Sequence, residues 1–182
     1  MNRRKVIKTL TITAGGGWLV PATLFSSCRS DDYQPRFFSK KEVTLINEIG
    51  EVILPETTDS PGAGTLKVAH FIDVYVQDCA SLSDQKKLRN GLKDFVENCL
   101  KENKKSFDKL TDDQKHDWLV ALDNERQEKT TAGFFPLLKN LILLSYFTSM
   151  EGSTKSLRYL PVPGRYQGNY PLQKGDKSWA IG

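Results

Sequence analysis

"VAHFIDVYVQDCA", residues 68–80, is the stretch on which the fold class turns. Phe71, Val74 and Val76 would suit a half-buried strand as well as one face of a helix, and a run this short does not separate the two periodicities by itself. Its neighbours do. Every periodic segment around it is helical, so it is read as a helix and the chain with it as all-α. On that reading Asp73 and Asp78, five residues apart, are expected to face solvent.

Immediately upstream, "FFSKKEVTLINEIGEVILP" (37–55) opens with a capping box, Ser39 and Glu42, whose side chains can satisfy backbone N–H groups left free at a helix start. Val43, Ile46, Ile49 and Ile53 then recur at spacings of three and four, and Pro55 marks the end. The connection "ETTDSPGAGTLK" (56–67) is dense in turn formers and should be irregular. Downstream, "SLSDQKKLRNGLKDFVENCLKEN" (81–103) sets Leu88, Leu92, Phe95, Val96, Cys99 and Leu100 on one side of a helix. "LTDDQKHDWLVALDNERQEK" (110–129) carries a second capping box, Thr111 and Gln114, and aligns Trp118, Leu119 and Leu122. The charged residues of both are expected to be solvated faces.

"FFPLLKNLILLSYFTSM" (134–150) is apolar almost all round, the pattern of a central helix covered on all sides. Lys139, Asn140 and Ser145 argue for a core helix over a membrane span. The expected architecture is thus a small helical domain of about five helices over residues 37–150, followed by an irregular Pro/Gly/Tyr-rich tail, 151–182. That tail holds three prolines, five glycines and three tyrosines, so it should neither continue a helix nor build a sheet. Its aromatics, Tyr159, Tyr166, Tyr170 and Trp179, favour a segment bound along a surface, because disordered tails are poor in them.

The start of the chain reads as targeting rather than fold. Arg3, Arg4, Lys5 and Lys8 precede a weakly apolar run, "TLTITAGGGWLVPATLFSS" (9–27), whose glycines, proline and threonines make a poor membrane anchor and a plausible removable signal. "NRRKVIK" (2–8) resembles the twin-arginine export consensus, used for cargo that crosses a membrane folded. "LFSSC" (24–28) resembles a bacterial lipobox, which would make residues 1–27 the signal, Cys28 the acylated N-terminus and residues 28–36 a polar tether. Each buried acyl methylene would add about 0.8 kcal/mol of membrane affinity. The expected location is the periplasm or cell envelope, with a lipid anchor.

The formal net charge of the whole chain is +4, from 26 basic and 22 acidic residues. All of that excess lies in residues 1–27, so the chain from Cys28 onward is neutral. A neutral chain without a basic, aromatic-interleaved cluster gives no reason to expect a nucleic-acid partner. Cys79 and Cys99 have two open readings, a disulfide between antiparallel helices or two buried free thiols.

Taken in order, the exported basic start, "ILPETTDSPGAG" (53–64) with Pro55, Pro61, Gly62 and Ala63, "FFPLLKNLILLSYFTS" (134–149) and "YLPVPGRYQGNYP" (159–171) resemble the gluconate 2-dehydrogenase subunit 3 family. The resemblance runs from about Phe37 to Pro171. It implies a small non-catalytic subunit that accompanies a large flavin-containing dehydrogenase of the glucose-methanol-choline type, sometimes with a cytochrome c subunit. FAD would sit in the large subunit and no cofactor in this chain. The small subunit would carry the export signal and help its partner mature and remain associated. The tail residues Tyr159, Pro161, Pro163, Gly164, Tyr166 and Gly168 are the expected partner contacts. Asn169 stands where many relatives have cysteine, which puts in doubt any partner disulfide through that position.

Residue chemistry agrees with an accessory role. His70 and His116 lie in different helices without a second histidine or a carboxylate at i+4 to suggest a metal pair, and Asp112 and Asp113 near His116 fit a solvated helix start. Neither Cys-x-x-Cys-His nor a Gly-x-Gly-x-x-Gly after a strand occurs. "SPGAG" (60–64) lacks the lysine and hydroxyl of a phosphate loop. No spacing recommends a catalytic triad. No catalytic, cofactor-binding or metal-binding residue is therefore expected. The competing view is a stand-alone envelope lipoprotein whose helical domain binds a ligand or partner.

Overall fold

The computed structural model describes residues 33–128, 133–162, 164, 168–171 and 173–180. The expected export and lipidation residues Arg3, Arg4 and Cys28 lie outside these, as do Pro163 and Tyr166. The described chain is all-α: α1 (Lys40–Ile53), α2 (Val68–Cys79), α3 (Leu82–Asn103), a 3-10 turn (Phe107–Lys109), α4 (Asp112–Glu128), α5 (Phe134–Thr148) and a π-helical turn (Gly152–Ser156).

Residues 68–80 are a helix because of which side chains they bury. Val68, Ala69, Ile72, Asp73 and Val76 point inward, a helical spacing, whereas strand alternation would have buried Ile72, Val74 and Val76. Phe71 stays outside, its ring stacked on Tyr75 at 5.9 Å. Helix α2 has no cap of its own. Asn47 of α1 accepts the Ala69 N–H at 3.0 Å, and Gln85 of α3 donates to the Val76 carbonyl at 2.9 Å. Both expected capping boxes form: Ser39 with Glu42, and Thr111 with Gln114, whose reciprocal bonds measure 3.1 and 3.3 Å.

α5 is central. It packs against α1, α2, α3 and α4 and runs on into the π-helical turn. Phe135, Leu138, Leu141, Ile142 and Tyr146 are buried along it. Its cover is incomplete, however: Leu144 is 41% exposed, and Asn140 and Thr148 share its open side. α3 departs from expectation in the same way. Leu88, Leu92, Phe95 and Cys99 are buried, while Val96 and Leu100 are exposed. The apolar stripe in each sequence is wider than the surface its neighbours cover.

One glycine fixes the approach of α5 to α3. A Cβ on Gly91 would overlap the Phe134 ring, so only glycine lets the first turn of α5 lie this close. Cys99 is buried and Cys79 exposed, and both thiols are free. Burial pushes the Cys99 thiol pKa up, with an Asn103 hydrogen bond opposing.

Asp73 corrects the expectation of a solvent-facing carboxylate. It is fully buried and accepts three backbone N–H groups, from Arg36 at 2.7 Å, Phe37 at 3.0 Å and Phe38 at 2.7 Å. A buried carboxylate is tolerable only when hydrogen bonds replace its lost water, and these do so. Arg36 also pairs with Asp78 at 3.8 Å, an exposed pair. Arg89 donates to the Phe37 carbonyl at 3.2 Å and lies 4.5 Å from the Phe37 ring centroid. The segment before α1 is thereby fastened to α2 and α3.

Candidate functional site

The connection after α1 is organised around Glu51. Its carboxylate accepts the Glu56 N–H at 3.0 Å and the Gly64 N–H at 2.8 Å. A Cβ at Gly62 would collide with that carboxylate, and one at Gly64 would stand 2.9 Å from it. Glycines are needed in "SPGAG" so that backbone can close on a carboxylate of its own chain, which accounts for the motif without a ligand. Ala63, fully buried, plugs the loop onto the core.

From the other side, α5 reaches this loop. The Tyr146 hydroxyl donates to the Pro61 carbonyl at 2.8 Å and lies 2.9 Å from the Ser156 hydroxyl. Ser145 donates to the Val68 carbonyl at 3.2 Å. One phenol thus joins the proline-glycine loop, the central helix and the π-helical turn from which the tail departs. The irregular segment begins only at Leu157, because Ser149 caps a further helical stretch by donating to the Tyr146 carbonyl at 2.7 Å and accepting the Gly152 N–H at 3.0 Å.

The tail then closes on itself. Arg158 and Trp179 form a parallel bridge, and the Arg158 guanidinium lies 4.1 Å from the Trp179 ring centroid and 5.1 Å from that of Tyr170. Of the expected contact residues, Tyr159 is 51% exposed, and Pro161, Gly164 and Gly168 are exposed. Leu160 and Val162 are exposed beside them, Val162 by 79%. Tyr159 through Val162 form an uncharged, apolar strip on the outside of the molecule, a surface that gains free energy when a partner covers it. Sequence reasoning missed Arg158, which precedes the quoted motif and meets Trp179 only once the tail has looped round to run beside it in parallel. It had singled out Tyr170 and Trp179 as aromatics in a glycine-rich tail, and that was the available signal.

Elsewhere the titratable groups spread out. Glu48, Glu51, Glu56, Asp112 and Asp113 line a cleft of about 550 Å3 between α1 and α4, with Lys115 and His116. Burial pushes the Glu48 carboxyl pKa up, Lys115 opposes this, and Asp108 adds to it. His116 is exposed, 3.6 Å from Asp117. Lys139 pairs with Asp123 at 2.7 Å. Among the described residues no group of three or more His, Cys, Asp or Glu side chains could hold a metal ion. No helix among them is long and apolar enough to cross a membrane.

Neither a curated protein nor a solved structure matches the chain. A family model does: gluconate 2-dehydrogenase subunit 3, over residues 40–164. The match begins at the first residue of α1 and ends at Gly164, just past the exposed strip of the tail, so it takes in the whole helical core and both of the segments that Tyr146 joins. This chain belongs to the gluconate 2-dehydrogenase subunit 3 family, the accessory subunit of a gluconate 2-dehydrogenase-type complex.

Proposed function

We infer that the chain is the non-catalytic small subunit of a membrane-associated, flavin-dependent sugar or polyol dehydrogenase, and that it assists the export, maturation and stability of the large flavoprotein subunit. Family membership supplies the complex. The observation that carries the contact is the apolar strip Tyr159–Val162, left exposed next to a well-packed core. A contiguous exposed apolar strip marks an interaction surface, and Tyr159 is of the residue type that most often anchors one. FAD belongs to the large subunit, and a cytochrome c subunit is the electron acceptor this arrangement would use.

The twin-arginine-like start explains why a subunit without a cofactor would bear an export signal. A flavoprotein that acquires FAD in the cytoplasm must cross the membrane folded, and one lacking a signal can travel bound to a subunit that has it. Acylation of Cys28 would then hold the pair at the membrane surface.

The test is a gentle pull-down of the tagged full-length chain from its native envelope, with an absorption spectrum and mass identification of what accompanies it. A flavoprotein with bands near about 370 and 450 nm is the expected result, since the flavin carries the redox chemistry. A colourless monomer at native expression would overturn the subunit assignment in favour of a stand-alone lipoprotein. Tyr159→Ala should reduce recovery of the flavoprotein with helix content unchanged.

A further inference from the structure

The tail has a built-in fastening at its root. Arg158 donates its backbone N–H to the Ser178 carbonyl at 2.8 Å and accepts the Ala180 N–H at 3.0 Å. Its side chain repeats the connection. Nη1 donates to the Tyr170 hydroxyl at 2.7 Å, and Tyr170 and Trp179 meet edge to face at 6.0 Å around the guanidinium. The returning chain is shaped by a turn in which Asp176 accepts the Gln173 N–H at 2.9 Å and Gly175 has φ 96°. The Lys177 ammonium donates to the Lys155 carbonyl, which fixes the return to the π-helical turn. Through Ser156 and Tyr146 that turn is tied to the core.

This fastening sits one residue before the exposed apolar strip. An unfastened tail would sample many conformations, and a partner that binds one of them would lose affinity in proportion to that conformation's population. A planar guanidinium packed against two aromatic rings that also touch each other holds the root closed while leaving Tyr159, Leu160 and Val162 outside.

We propose that Arg158, packed against both Tyr170 and Trp179, is the positioning residue of the docking tail, holding its root closed so that the strip Tyr159–Val162 seats in an apolar groove of the large subunit. This rests on the contact assigned to the tail above. The occupant is a protein groove of apolar chemistry because the strip carries no charge, and because membership of a dehydrogenase-subunit family places a larger protein beside this chain.

The experiment compares full-length subunits by binding kinetics on the purified large subunit and by amide hydrogen exchange of the free subunit. Arg158→Ala and Trp179→Ala should speed exchange at the Arg158 and Ala180 amides. They should raise Kd about tenfold, mainly through slower association, as expected when the competent fraction falls to about a tenth. Trp179→Phe, which keeps an aromatic face, should restore most of the affinity. Leu160→Ser and Val162→Ser should instead speed dissociation and leave exchange at the root unchanged. Faster exchange with unchanged Kd in the clamp variants, alongside weaker binding in the strip variants, would overturn the positioning role and leave the contact intact. Unchanged Kd in all four would overturn the contact as well. Already rapid exchange at the root of the unaltered subunit would show that no closed loop exists. Strip-dependent binding to phospholipid vesicles in place of the large subunit would replace the protein groove by a membrane.

Discussion

The Tyr146 hydroxyl donates to the carbonyl of Pro61 at 2.8 Å, across 85 residues of chain. Through its second contact, to Ser156, the same oxygen reaches the root of the tail. Tyr146→Phe keeps the buried ring and removes both bonds. Stability should fall by about 2 kcal/mol, since two intramolecular hydrogen bonds are lost at an ordinary net worth of about 1 kcal/mol each, and urea unfolding would measure it. Exchange of the Gly152 and Ser153 amides should also accelerate in the native state.

Asp73→Ala removes the acceptor of three backbone donors, one of them, Phe38 N–H, in buried surroundings. The loss should be on the order of 3 kcal/mol, since unsatisfied buried groups forfeit their full hydration. Asp73→Asn should fall between, because its amide nitrogen would face a donor. Loss of protection at the amides of residues 36–38, with α3 unaffected, would locate the damage.

Gly91→Ala separates helix propensity from packing. In an open helix alanine would gain about 1 kcal/mol over glycine. Here the added methyl meets Phe134, and overpacking of this kind should turn the gain into a net loss of about 1–2 kcal/mol. Asn90→Ala, one residue away and exposed, should be neutral or slightly stabilising. Thermal unfolding of the two variants side by side decides the point.

Glu48 predicts a pH dependence. Burial raises its folded-state pKa above the unfolded value, so between the two the folded chain holds more protons. Its contribution therefore falls as pH rises from the ordinary carboxylate range through the raised value. Glu48→Gln removes this loss. The variant should gain stability relative to the parent on going from about pH 4 to pH 7, read as the difference in urea midpoints.

Local signals in the sequence carried a good deal of this structure. Both capping boxes and the end of α1 before Pro55 were legible because each depends on contacts within a few residues, whereas the helical state of residues 68–79 was read from the helical segments around it. Asp73 was not. Its helical phase alone places it inward, but a charged side chain reads as solvated until its donors, 35 to 37 residues away, are seen. Val96, Leu100 and Leu144 look like core because an apolar stripe says what could be covered, not what neighbours exist to cover it. The tail's composition announced a surface segment, but the closing of Arg158 on Trp179 required knowing where the chain turns back.

The fastening of residues 36–38 to Asp73 also has a mechanical side. Tension applied to the chain ahead of Arg36 does not arrive first at the outer end of α1. It meets three hydrogen bonds that converge on one carboxylate, so they share the force, and it passes through them into α2, which packs against both α1 and α5. Peeling α1 away from this end requires these three bonds to be broken first.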